Sequence, residues 1–62
     1  MINWEEQPYM DYVIAVDELL ETMGEETSEQ AHMDPMADGQ EQGWSPLETA
    51  EWIRDERKMA LV

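Results

Sequence analysis

Residues 1–53 carry fourteen carboxylates and no Lys or Arg, while the three basic residues, Arg54, Arg57 and Lys58, fall within five positions of one another. At a formal charge of −13, like charges repel in any compact state, so added salt is expected to stabilise whatever fold forms. A chain of 62 residues makes one domain at most and buries only about 60% of the surface it exposes when unfolded. It has no cysteine for a disulfide and no paired His or Cys clusters for a structural zinc, which leaves apolar packing to hold the fold, alone or shared with a partner. The apolar fraction of 42%, with three Trp and six Met, is too high for a chain that stays disordered.

The apolar pattern predicts an all-α unit of three helices, over residues 8–23, 35–42 and 46–60, with a long polar first connection. In the first, Tyr9, Val13, Val16, Leu20 and Met23 recur at steps of three or four, and Tyr12 and Leu19 widen the stripe. Pro8 suits a first turn and Gly24 a left-handed stop. Asn3 and Glu6 have capping-box spacing, but a start there would trap Pro8 inside the helix, so the start is placed at residue 7 or 8, with Trp4 packing back on the helix. Residues 25–34 read as a loop that can hold a helical turn. Asp34-Pro35 then looks like an N-cap followed by a proline at the first helical position, and Gly43 like a stop. Gly39 inside that segment costs roughly 1 kcal/mol relative to Ala. The third helix has the clearest start, with Ser45 as N-cap, Pro46 next and Glu48 completing a capping box. Leu47, Ala50, Ile53 and Leu61 are expected on its buried face, Trp52 and Met59 on a second apolar strip, and Arg57 and Lys58 complementing the dipole of its last turns.

Catalytic chemistry finds little support in these residues. There is no Cys and only one His, Ser28 and Ser45 fit turn and cap roles, no Gly-rich phosphate loop is present, and so small a chain encloses little volume in which to tune a carboxylate pair. The expectation is a protein that is not an enzyme and needs no cofactor. Glu29 and His32 have the Glu-x-x-His spacing of carboxylate metal sites, but one copy falls short of the set such sites need. Asp34, Asp38 and Gly39 match positions one, five and six of a calcium loop. Met36 at position three and Ser45 at position twelve break the match, leaving only weak, nonspecific divalent-cation binding to expect. A helix-turn-helix DNA reader is excluded by charge, since Glu48, Glu51 and Asp55 on the third helix would face phosphates.

The charge distribution points instead to a basic macromolecular partner, and away from nucleic acid and from anionic membranes. Asp17 and Glu21 are four apart, one such step rising about 6 Å along the axis, and Asp11, Glu18 and Glu21 share the side away from the apolar stripe. Carboxylates in a row along a helix resemble a phosphate row, whose charges recur every ~3.4 Å per strand. On this reading Asp11, Asp17, Glu18, Glu21, Glu25 and Glu26 contact the basic groove of a nucleic-acid-binding protein or complex and inhibit it. Trp44, ahead of the Ser45 cap, reads as a structural staple, whereas Trp52 is the tryptophan expected at an interface. In composition the chain is similar to small acidic phage proteins that block restriction or CRISPR effector complexes, a similarity of charge that covers no particular motif.

Two alternatives accompany it. One is a helical interaction module, antitoxin-like or self-associating as a homodimer, built on the apolar stripe and Trp52 with acidity serving solubility; the other is a chain that orders fully only on its partner. The opening residues Met1 to Glu6 lack the basic and apolar regions of a secretory leader, and no run approaches the ~18 apolar residues of a membrane span. A cytoplasmic location is therefore expected, in a host cytoplasm if a phage encodes the chain.

Overall fold

The computed structural model describes residues 2–60. The described residues form three α-helices, α1 (Tyr9–Thr22), α2 (Met33–Glu41) and α3 (Pro46–Ala60), with 3₁₀ turns at Trp4–Glu6 and Gln30–His32. The all-α architecture with a long first connection is as the sequence predicts. No helix among the described residues is long and apolar enough to cross a membrane.

The helix starts show where proline chemistry acts. Pro8 lies one place outside α1, as its N-cap in extended geometry, and its carbonyl accepts the first helical bonds from Asp11 and Tyr12. Asn3 and Glu6 build a 3₁₀ turn rather than an earlier helix start, with the Glu6 N–H donating to the Asn3 carbonyl at 3.0 Å and no side-chain cap. The α2 helix begins two residues before the expected Pro35, because the 3₁₀ turn Gln30–His32 runs straight into it. Pro35 is thus the third helical residue, where its missing N–H is still no loss. Asp34 accordingly does not cap; the capping box is formed one turn earlier by Glu29 and His32, in which the Glu29 N–H donates to His32 Nδ1 at 3.0 Å.

Two glycines close the helices with the same geometry. Gly24 (φ 78°) and Gly43 (φ 82°) are both left-handed. Gly24 N–H donates to the Glu21 carbonyl and Glu25 N–H to that of Leu20, and the pattern repeats with Gly43 to Gln40 and Trp44 to Gly39. These are Schellman closures, which satisfy carbonyls that a bare helix end leaves open.

The core is made by α1 against α3, with α2 packed against α1 and the N-terminal turn. Tyr12, Val13, Val16 and Leu20 of α1 meet Ala50 and Ile53 of α3 and Met36 of α2. Each full-size aliphatic side chain buried there contributes about 1.5–3 kcal/mol. Trp4 packs against this cluster, its ring edge-on to Tyr12 at a centroid separation of 6.0 Å. The N-terminal turn is fixed by buried Gln40, whose Nε2 donates to the carbonyls of Trp4 (3.0 Å) and Gln7 (2.7 Å).

The buried side of α3 differs from expectation. Pro46, Thr49, Ala50 and Ile53 are buried, whereas Leu47 is 48% exposed and Leu61 lies outside the described residues. Thr49 enters the core because its hydroxyl forms a hydrogen bond with the buried Tyr12 hydroxyl, removing the penalty of burying either group alone. Gly39 faces the same junction, where a Cβ would come into van der Waals contact at 3.4 Å from Thr49 Oγ1, 3.4 Å from Trp44 Cε3 and 3.5 Å from Tyr12 Oη.

Candidate binding surface

The face of α1 opposite the core carries Met10, Asp11, Ile14, Glu18 and Glu21, all exposed. The 3.6-residue period requires this: once Tyr12, Val16 and Leu20 turn inward, positions 10, 14, 18 and 21 fall in one outward row. The row is apolar at its start and acidic at its end. Met10 is 65% and Ile14 52% exposed, a degree of wetting that core packing does not account for.

Among the described residues, Glu25 and Asp55 are the only carboxylates with a cationic partner. Arg57 Nη1 lies 3.9 Å from Glu25 Oε1, and Arg54 Nε lies 3.4 Å from Asp55 Oδ1. Glu18 and Glu21 also stand in the C-terminal half of α1, whose last turn has no basic residue. A negative charge there opposes the helix dipole as well as its acidic neighbours. These carboxylates therefore work against the helix that carries them.

The other residues expected at the contact surface have separate surroundings. Asp17 is half-buried and accepts a hydrogen bond from the Ser28 N–H at 2.9 Å, so it anchors the connection between α1 and α2. Glu25 is half-buried beside Arg57, and Glu26 is exposed just beyond it. Rather than only complementing the α3 dipole, Arg57 donates from Nη1 to the Glu26 carbonyl at 2.6 Å and from Nη2 to the Thr27 carbonyl at 2.8 Å. The polar segment after Gly24 is thereby held against α3.

Trp52 is half-buried, packed on the core cluster along one side. Along the other it lines a cleft of about 200 Å³ between α2 and α3. Trp44 forms part of the same lining and Asp38 is exposed beside it. Trp44 and Trp52, eight residues apart, share a cleft that no local pattern announces, because it forms only where α2 and α3 meet. No group of three or more His, Asp or Glu among the described residues is arranged to hold a metal, and Glu29 and His32 are engaged in the cap described above.

Two tyrosines are perturbed. Burial pushes the Tyr12 hydroxyl above its ordinary value near 10.0, with the bond to Thr49 opposing and the charge of Glu48 adding to the rise. Burial likewise raises Tyr9, helped by the nearby Asp34 carboxylate; its hydroxyl donates to the Met33 carbonyl at 2.9 Å. Both hydroxyls tie helices together. Comparison of the chain with models of protein families, with curated proteins and with solved structures finds no match.

Proposed function

We propose that this chain is an acidic binding protein whose α1 outer face docks in the basic groove of a nucleic-acid-binding protein, where its carboxylates stand in for backbone phosphates. The observation that carries the reading is the composition of that face: Met10 and Ile14 exposed beside Asp11, Glu18 and Glu21, with no cation near the carboxylates among the described residues. A face serving only solubility has no use for two large wetted apolar side chains, whereas a docking face uses them as anchors and the charges for steering. Glu18 and Glu21 stand about 4.5 Å apart along the axis, near the ~3.4 Å recurrence of phosphates on one strand, and Asp11 lies about 10 Å from Glu18, roughly three such steps. Occupation of such a groove would exclude nucleic acid and so inhibit the partner.

The test is capture of partners by the intact chain at low and at high salt, with DNA or RNA as competitor, beside a variant carrying Asp11→Asn, Glu18→Gln and Glu21→Gln. The reading expects partners that salt releases, that nucleic acid displaces and that the variant fails to hold. Retention that neither salt nor the triple substitution weakens would overturn it.

Self-association through Met10 and Ile14 is the second reading, favoured by the same exposed pair. It ranks lower because two copies would bring together two chains of charge −13, and a sedimentation series at rising protein concentration distinguishes it.

A further inference from the structure

We infer that the cleft between α2 and α3 is a receptor for one arginine side chain of a basic protein partner. The inference deepens the docking reading and rests on it for the nature of the partner. The indole rings of Trp44 and Trp52 contribute the aromatic lining, Pro35 and Gly39 add apolar surface, and Asp38 and Gln42 supply polar groups. A volume of about 200 Å³ is below the ~300–1,000 Å³ of small-molecule sites, and suits a single long side chain.

Charge selects the side chain. Asp38 is the one ionisable group of the lining. None of the three basic residues contributes to it: Arg57 is turned to the Glu26 and Thr27 carbonyls, Arg54 lies against Asp55, and Lys58 is outside the lining. The C-terminus of α2 and the N-terminus of α3 both border the cleft, and their partial charges oppose each other, leaving the Asp38 carboxylate to set the sign. Indole faces attract a cation, and a planar guanidinium both stacks on them and offers a carboxylate two parallel donors; an ammonium does neither as well. Net charge strengthens the match, since a chain at −13 gathers cationic segments around it.

The experiment uses the intact chain and two blocked pentapeptides, Gly-Gly-Arg-Gly-Gly and Gly-Gly-Lys-Gly-Gly, with binding followed by the indole N–H and backbone amide NMR signals at moderate salt. An oligo-arginine peptide at low salt serves as the separate probe of the acidic α1 face. The expected result is that the arginine peptide shifts the indole signals of Trp44 and Trp52 and leaves Trp4 unmoved, and that the lysine peptide binds several-fold more weakly. Asp38→Asn is expected to weaken arginine binding about five-fold, or ~1 kcal/mol, while the charge-matched Glu56→Gln leaves it unchanged. Shifts confined to α1, or equal responses to both peptides, would overturn the arginine receptor and leave α1 docking standing. Trp44 and Trp52 shifts without any α1 response to oligo-arginine would support the receptor and overturn the docking reading.

Discussion

The hydrogen bond between Tyr12 and Thr49 is the polar contact at the centre of the core, and its removal is predicted to be asymmetric. Both residues are buried, Tyr12 at 0% and Thr49 at 2% exposure, so stripping one partner leaves the other's hydroxyl buried without its mate, at a penalty of about 1–3 kcal/mol. Thr49→Val strands the Tyr12 phenol, whose structure-given partner is Thr49 alone, and is expected near the upper end. Tyr12→Phe strands a hydroxyl that sits one helical turn after Ser45 and can turn to the Ser45 carbonyl, so it is expected near the lower end. The double variant removes both polar groups and is expected to be milder than the sum of the singles by ~1 kcal/mol or more. Against a total stability of ~3–9 kcal/mol for this length, a loss of 2 kcal/mol lowers Tm by about 8–16 °C. Urea melts followed by circular dichroism, in 0.5 M salt to suppress charge repulsion, give the four free energies. Strict additivity would show that the two hydroxyls are not coupled and refute the argument. Burial of the Tyr12 hydroxyl also sets a pH dependence, which the bond to Thr49 partly offsets. Because the folded-state pKa of Tyr12 is raised above the ordinary value of 10.0, the folded chain holds this proton more tightly, so stability is full below pH 10 and declines as pH rises from there through the folded value. Tyr9, also raised, adds to this alkaline loss, and Tyr12→Phe should reduce it without abolishing it.

Three further outcomes follow from particular contacts. Arg57→Ala removes two bonds from a guanidinium to the Glu26 and Thr27 carbonyls and should destabilise by about 1–3 kcal/mol; Arg57→Lys, lacking the fork, should recover only part. Hydrogen exchange reports it directly, since the Ser28 amide should lose protection in Arg57→Ala, and unchanged exchange there would show that the clamp does not order the segment. Gly24→Ala isolates backbone strain: φ is 78° and nothing lies within 4 Å of the new Cβ, so a loss of ~1–2 kcal/mol in a urea melt is expected from the left-handed conformation alone. Glu21→Gln should raise Tm at low salt, because the carboxylate opposes the dipole in the last turn of α1, and the gain should shrink as salt is added; a gain independent of salt would mean that the substitution acts by some route other than charge.

What the sequence revealed depended on whether each feature was local. Helix existence came from apolar periodicity and from caps encoded within a few residues, which is why Ser45, Gly24 and Gly43 could be read in advance; Ser45 Oγ does accept from the Glu48 N–H, at 3.2 Å. The outward side of α1 was equally legible, because assigning an inward stripe assigns its opposite. Features that depend on a distant partner were not. Thr49 reads as polar until Tyr12, 37 residues away, supplies its hydrogen bond, and Leu47 then loses its expected place in the core to that threonine. Gln40 is a polar residue of a short helix, yet it is buried and binds the carbonyls of Trp4 and Gln7. Arg57 and Asp17 looked like surface charge and turned out to fasten the first connection from both sides. Asp17 reaches Ser28, and Arg57 the carbonyls just before it. Hydropathy assigns such residues to water because it carries no information about which orphaned backbone group awaits them.

The placement of charge bears on how folding and binding are linked. A small domain selected for stability alone would set cations at the C-terminal ends of its helices and opposite charges one turn apart. Here α1 and α2 have no basic residue in their last turns, and the ion pairs between described residues engage only Glu25 and Asp55. The penalty is present in the free chain and is relieved by any cationic surface laid over α1. A partner that binds the folded form adds stability as RT ln(1 + [L]/Kd), or ~2.7 kcal/mol at a hundredfold excess over Kd, a large share of what a chain of this length possesses. Neutralising Glu18 and Glu21, while leaving Asp11 in the first turn of α1 where the dipole favours it, should therefore act in opposite directions: the free chain melts at a higher temperature, and the rise in Tm on adding a polycationic peptide becomes smaller. Parallel melts of the two proteins with and without the peptide measure both effects, and a double variant that is less stable when free would contradict the view that these two carboxylates are carried at the expense of the fold.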